Sequence, residues 1–152
     1  REYSDAGHSD TLPRMMGFQA AGAAPFVADA FVDNPETVAS AICIGKPASW
    51  QPAKAALQFS AGAIDKVTDE EILTAYQMIT AQEGIFVEPA SAAALAGIIK
   101  LQNAGKIDEG SIVVATMTGH GLKDPDNAVE HANVEATTVE PNLDSVRAAI
   151  GL

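Results

Sequence analysis

A β-rich run, Ile112-Val113-Val114-Ala115-Thr116-Met117, stops at Thr118-Gly119-His120-Gly121. Such a run, rich in β-branched residues, reads as a buried strand, and the two glycines end it in a tight loop. In a parallel α/β sheet, ligands sit beyond the carboxyl ends of the strands. Thr118 is therefore placed to offer a hydroxyl to a cofactor or substrate. Gly119 and Gly121 leave room for backbone to approach that ligand closely.

The rest of the chain alternates in the same sense. Asn34-Pro35 reads as a helix start, with Val38, Ala41 and Ile42 on one face and Gly45 as its end. A second short helix starts near Ser49, with Trp50, Ala53 and Leu57 inward and Gly62 closing it. Residues 63–67 read as a strand. Thr68 and Glu71 form a capping box that opens a helix burying Ile72, Leu73, Tyr76 and Ile79, and Gly84 ends it. Residues 85–87 read as a short buried strand ending at Glu88-Pro89, followed by a helix to Gly105. Beyond Pro125 a short helix or turn leads into an acidic tail, with an edge strand at 137–140 and one or two helical turns at 144–150. The small-residue stretch around Gly17 and Gly22 fits a strand or loop packed against backbone or a ligand. Alternating strands and helices specify an α/β fold, a parallel sheet covered by helices.

Bulk numbers narrow the function. A length of 152 residues with 47% hydrophobic content supports one domain with a real core. A net charge of −11 excludes the basic surface that nucleic acid needs. The single cysteine, Cys43, forbids an intrachain disulfide and fits a reducing cytoplasm. No apolar run reaches membrane-spanning length, and no basic, apolar signal peptide opens the chain.

Glu88 and Thr118 each end an apolar run. If the two runs are parallel strands, both side chains are offered at one sheet edge. Each has a plainer reading as well. Glu88 can favour the positive end of the next helix, and Thr118 can fasten its own loop. His120 reads as a solvated loop histidine. His8 and His131 have no partners at metal spacing. Cys43 reads as core, and Ser91 lies outside a nucleophile-elbow motif. No P-loop or GxGxxG motif is present. Lys46, Lys54, Lys66, Lys100, Lys106 and Lys123 all sit in polar or helix-end contexts, so none reads as a Schiff-base lysine. Lys123 is nearest the proposed site, and a surface pair with Asp124 is its simplest account.

Five blocks in order, GFQAAGAAP, IGKPASW, VTDEEILTAY, EGIFVEPASAAALAG and TGHGLKDP, resemble the bacterial threonine synthases. These are pyridoxal-phosphate (PLP) enzymes of the tryptophan-synthase-β-like fold, fold type II. The resemblance implies the following. The chain is the C-terminal part of the larger domain, and residues from about 133 to 152 form an acidic C-terminal extension to which the resemblance assigns no role. Thr118 hydrogen-bonds the pyridine nitrogen of pyridoxal 5'-phosphate, with Gly119 beside it, and Glu88 lines the pocket. The Schiff-base lysine and the phosphate-cradling loop lie upstream of this chain, so it holds no catalytic residue of its own and is inactive alone. The full enzyme is a cytoplasmic homodimer that converts O-phospho-L-homoserine and water to L-threonine and phosphate. Two other functions remain open. One is a sister lyase such as a threonine or serine dehydratase. The other is a non-catalytic domain that binds a small molecule or mediates oligomerisation.

Overall fold

In the computed structural model, residues 2–131 and 137–152 are described. After a short helix α1 (Glu2–Asp5), strand β1 (Met16–Ala20) runs parallel to β2 (Ala63–Val67), in a register from Met16↔Ala63 to Ala20↔Val67. The crossover between them carries α2 (Pro25–Ala28) and α3 (Trp50–Phe59). Two long helices follow, α4 (Asp69–Glu83) and α5 (Pro89–Asn103), then α6 (Pro125–His131) and α7 (Leu143–Ala149).

The core lies where α4 and α5 pack on each other and α5 lies against both strands. Val67, Ile72, Ala75, Ile79, Val87, Ala92 and Ala96 fill it. Alanines dominate the α5 face because the approach is close. A Cβ added at Gly97 would lie 2.2 Å from the Phe18 ring of β1. Each large aliphatic side chain buried here contributes about 1.5–3 kcal/mol.

The capping box forms as read. The Thr68 hydroxyl accepts from the Glu71 backbone N–H at 3.1 Å, and the Glu71 carboxylate accepts from the Thr68 N–H at 2.7 Å. Gly84 ends α4 with φ +66°, and Gly105 follows α5 with φ +64°. The expected α3, β2, α4, α5 and α6 all form, and the expected last helical turns form as α7. Leu73 is only half-buried, and Ala75 takes the core position instead.

Four expectations fail. The helix read from Asn34 is only a 3-10 turn, Ser40–Ile42. Its backbone is claimed by distant partners: Glu36 N–H donates to the Gly22 carbonyl, and Val38 N–H donates to the Asp69 carboxylate. Gly45 is not a helix cap. It is small because the Val32 carbonyl would lie 1.8 Å from its Cβ. Residues 112–117 form no strand and stay largely exposed, Ile112 at 93% and Val114 at 84%. A strand is a ladder, and no described residue supplies that run with a partner strand. Residues 85–87 form no strand either. Val87 makes one isolated antiparallel bridge with His120. The edge strand expected at 137–140 is also absent. Of the acidic extension, residues 133–136 lie outside the described residues, as does Arg1.

Candidate functional site

The two runs meet, although not as parallel strands reaching one edge. Residues 86–88 and 119–121 lie side by side through two backbone bonds: Glu88 N–H donates to the Gly119 carbonyl at 3.0 Å, and Gly121 N–H donates to the Phe86 carbonyl at 3.1 Å. This local antiparallel clasp replaces the sheet edge in bringing Glu88 and Thr118 together. Glu88 is the N-cap residue of α5, and Pro89 takes the first helical position. That geometry suits proline, whose fixed φ fits the first turn.

Ser91 is the anchor. It is buried in the first turn of α5, where its hydroxyl accepts from the Gly119 N–H at 2.8 Å and reaches the Gly119 carbonyl at 3.1 Å. Its oxygen also lies 3.3 Å from the Thr118 hydroxyl. Either hydroxyl can donate in that contact, so Ser91 can give its proton to the carbonyl while Thr118 donates to the Ser91 oxygen. Thr118 is exposed as a residue, and its hydroxyl is held by the buried Ser91. Sequence reasoning tested Ser91 only as a nucleophile. Its position three residues after the N-cap was the signal that it could grip a neighbouring loop.

The glycines leave room, but for this chain's own side chains. A Cβ on Gly119 would lie 1.8 Å from Glu88 Oε1, and one on Gly121 would lie 2.4 Å from the Phe86 ring. His120 spends its Nδ1 accepting from the Leu122 N–H at 3.1 Å, and its ring stands edge-on to Phe86.

Glu88 is buried, with its side chain 5% exposed. Its ion-pair partner is Lys123, whose Nζ lies 3.4 Å from Oε1. The surface pair expected between Lys123 and Asp124 does not form. The Asp124 carboxylate accepts instead from the Ser40 hydroxyl at 2.7 Å and from Asn127 Nδ2 at 2.9 Å. The Ser40 bond, with help from Asn127 and against partial burial, holds the Asp124 carboxyl below the usual carboxylate range. Burial raises the nearby Tyr76 phenol, and the Asp124 charge adds to that shift. Lys46 pairs with Asp33, Lys54 with Asp29 and Lys100 with Asp65, so these lysines serve surface contacts.

An exposed threonine, held by a buried serine and set beside an ion-paired carboxylate, can offer a hydrogen bond to a small ligand. Residues 2–119 match the sequence family described as pyridoxal-phosphate dependent enzyme, and the chain belongs to that family. It is 48% identical to the threonine synthase of Synechocystis sp. over 151 residues, 99% of this chain and 39% of that protein. It is 55% identical to the threonine synthase of Mycobacterium leprae over 129 residues, 85% of this chain and 36% of that protein. The chain thus spans less than two fifths of the length of these relatives.

Solved structures share the fold. A Lys-to-Ala mutant of O-ureido-L-serine synthase with O-ureido-L-serine bound matches with a TM-score of 0.61 at 13% identity, covering 91% of this chain and 39% of that one. A fungal L-serine ammonia-lyase from Rhizomucor miehei matches with a TM-score of 0.59 at 17% identity, covering 84% and 43%. The fold is that of the type II PLP enzymes. Among the described residues, no helix is long and apolar enough to cross a membrane.

Proposed function

We propose that these residues form part of a threonine synthase, a cytoplasmic homodimer that converts O-phospho-L-homoserine and water to L-threonine and phosphate. The observation that carries this reading is the 48% identity to such an enzyme across 99% of the chain. The lyase and synthase folds that match at 13–17% identity support only the architecture.

The residues present fit the cofactor. Thr118 is an exposed residue whose hydroxyl suits the pyridine nitrogen. Gly119 forms the floor beside it, and buried Glu88 closes the flank. Bound pyridoxal phosphate supplies the electron sink for the elimination and replacement chemistry. A hydroxyl at that nitrogen does not protonate it as a carboxylic acid would. Thr118 thus keeps the sink weaker, which favours elimination and replacement over transamination. The Ser91 hydroxyl orients Thr118, and the Glu88–Lys123 pair keeps a naked negative charge away from the ring.

The test is a chimera in which these 152 residues replace the matching stretch of the Synechocystis enzyme. With pyridoxal phosphate and O-phospho-L-homoserine it should release threonine and phosphate in equal amounts, whereas the chain alone should release neither. Ammonia from threonine without phosphate from phosphohomoserine would instead make the site a dehydratase.

A further inference from the structure

Lys123, whose simplest sequence reading is a surface pair with Asp124, has a different partner in the structure. Its backbone is fixed in the 3-10 turn Gly121–Lys123, where the Lys123 N–H donates to the His120 carbonyl at 3.0 Å. Asp124, the adjacent acid, is committed to Ser40 and Asn127. The ammonium therefore reaches back over the glycine loop to Glu88, 35 residues earlier. Glu88 needs it. The carboxylate is buried, makes no cap bond to α5, and has Lys123 as its hydrogen-bonding side-chain partner among the described residues. Gly119 lies against Glu88, close enough that a Cβ there would meet Oε1 at 1.8 Å, so the carboxylate packs on the loop that carries Thr118.

We propose that Lys123 is a positioning residue that clamps the Glu88 carboxylate against Gly119 and thereby fixes the Thr118 hydroxyl that meets the cofactor ring. Its role toward the ring rests on the threonine synthase reading, while the clamp itself rests only on this chain. A buried carboxylate stripped of its cation must turn toward water or draw water in, because an unpaired buried charge is strongly disfavoured. Arginine can rebuild the pair, since its guanidinium also carries a fixed positive charge on a long stem. Glutamine cannot.

Two measurements separate the clamp from the reading it serves. In the chimera, Lys123→Gln should weaken cofactor binding about threefold to tenfold, a range between exposed and buried ion pairs. It should also reduce the circular dichroism of the visible cofactor band while the far-ultraviolet spectrum stays unchanged. Lys123→Arg should restore both. Loss of the visible band in Lys123→Gln, with rescue by arginine, is an effect that a generic packing role would not produce. A chimera whose parent binds cofactor and turns over, but whose Lys123→Gln variant matches it in affinity and visible band, overturns the proposal and leaves the function standing.

In the chain alone, a double-mutant cycle of Lys123→Gln and Glu88→Gln read by urea denaturation should show coupling of about threefold or more in the folding equilibrium. Additive effects overturn the clamp whether or not the chimera binds cofactor. Coupling in the chain, with a parent chimera that binds no cofactor, overturns the threonine synthase reading and keeps the clamp.

Discussion

Ser91→Ala removes one oxygen, and its cost can be worked from the contacts. The hydroxyl is buried, and it accepts from the Gly119 N–H at 2.8 Å and reaches the Gly119 carbonyl at 3.1 Å. The Gly119 carbonyl keeps its bond from the Glu88 N–H at 3.0 Å, so its loss is partial. The Gly119 N–H loses its acceptor and is left a buried, unpaired donor unless Thr118 or Glu88 turns to it. That penalty alone is about 1–3 kcal/mol, and the lost hydroxyl–carbonyl bond adds about 0.5–1 kcal/mol. The void is a single oxygen and adds little. Destabilisation should therefore be about 1.5–4 kcal/mol, measured as a lower urea midpoint at unchanged slope. Amide exchange at Gly119 should accelerate, because the bond that protects it is gone. Exchange should stay slow at Ile72 and Ala75 in the α4 core. A midpoint shift under about 0.5 kcal/mol together with unchanged Gly119 exchange would refute the anchor role and leave Ser91 as a filler of space.

Gly119→Ala should destabilise by about 1–3 kcal/mol by overpacking, since its Cβ would lie 1.8 Å from Glu88 Oε1; a neutral urea midpoint would show that Glu88 turns aside freely. Thr68→Ala should cost about 0.5–2 kcal/mol by opening the capping box, read from thermal or urea denaturation. The bonds to Asp65 from Lys100 and to Asp124 from Ser40 lower both carboxyl pKa values in the folded state. Their stabilisation is therefore present above the unfolded carboxylate pKa of about 3.9 and is lost as pH falls through the folded values. A pH–urea series with Asp124→Asn should show a shallower acid loss than the parent, and identical acid limbs would refute it. The exposed Ile112 and Val114 should make the isolated chain self-associate, so light scattering that reports a stable monomer at high concentration would count against an adhesive 112–117 surface.

Local chemistry was legible in the sequence wherever its partners are local. The capping box needs only Thr68 and Glu71, the end of α4 needs only Gly84, and β2 is a short segment set between Gly62 and the Thr68 cap. The Asn34-Pro35 helix was misread because its caps describe a helix that could form in isolation. The long-range bonds to Gly22 and Asp69 outcompete it, and nothing in residues 34–45 announces them. The run at 112–117 was misread for a related reason. Periodicity reports that a segment could serve as a buried strand, while a ladder also needs a neighbour, which no described residue provides.

The site was half legible, and the missing half has one physical cause. Thr118, Gly119 and Glu88 stand out because polar groups and glycines at the ends of apolar runs are unusual. Ser91 and Lys123 do not, because a serine in a helix and a lysine beside an aspartate look ordinary. What makes them specific is a closure across about thirty residues, in which α5 returns to the glycine loop. Once that closure is known, sequence neighbours become poor guides to charge pairing. Asp124 adjoins Lys123 in the chain, yet it faces Ser40 and Asn127, because consecutive side chains in the turn point apart. The lysine is thereby left for the buried Glu88. The other paired lysines serve exposed or half-exposed acids, whereas Lys123 serves a buried one, so its absence should be felt locally. Exposed acids have water to solvate them, whereas Glu88 has Lys123.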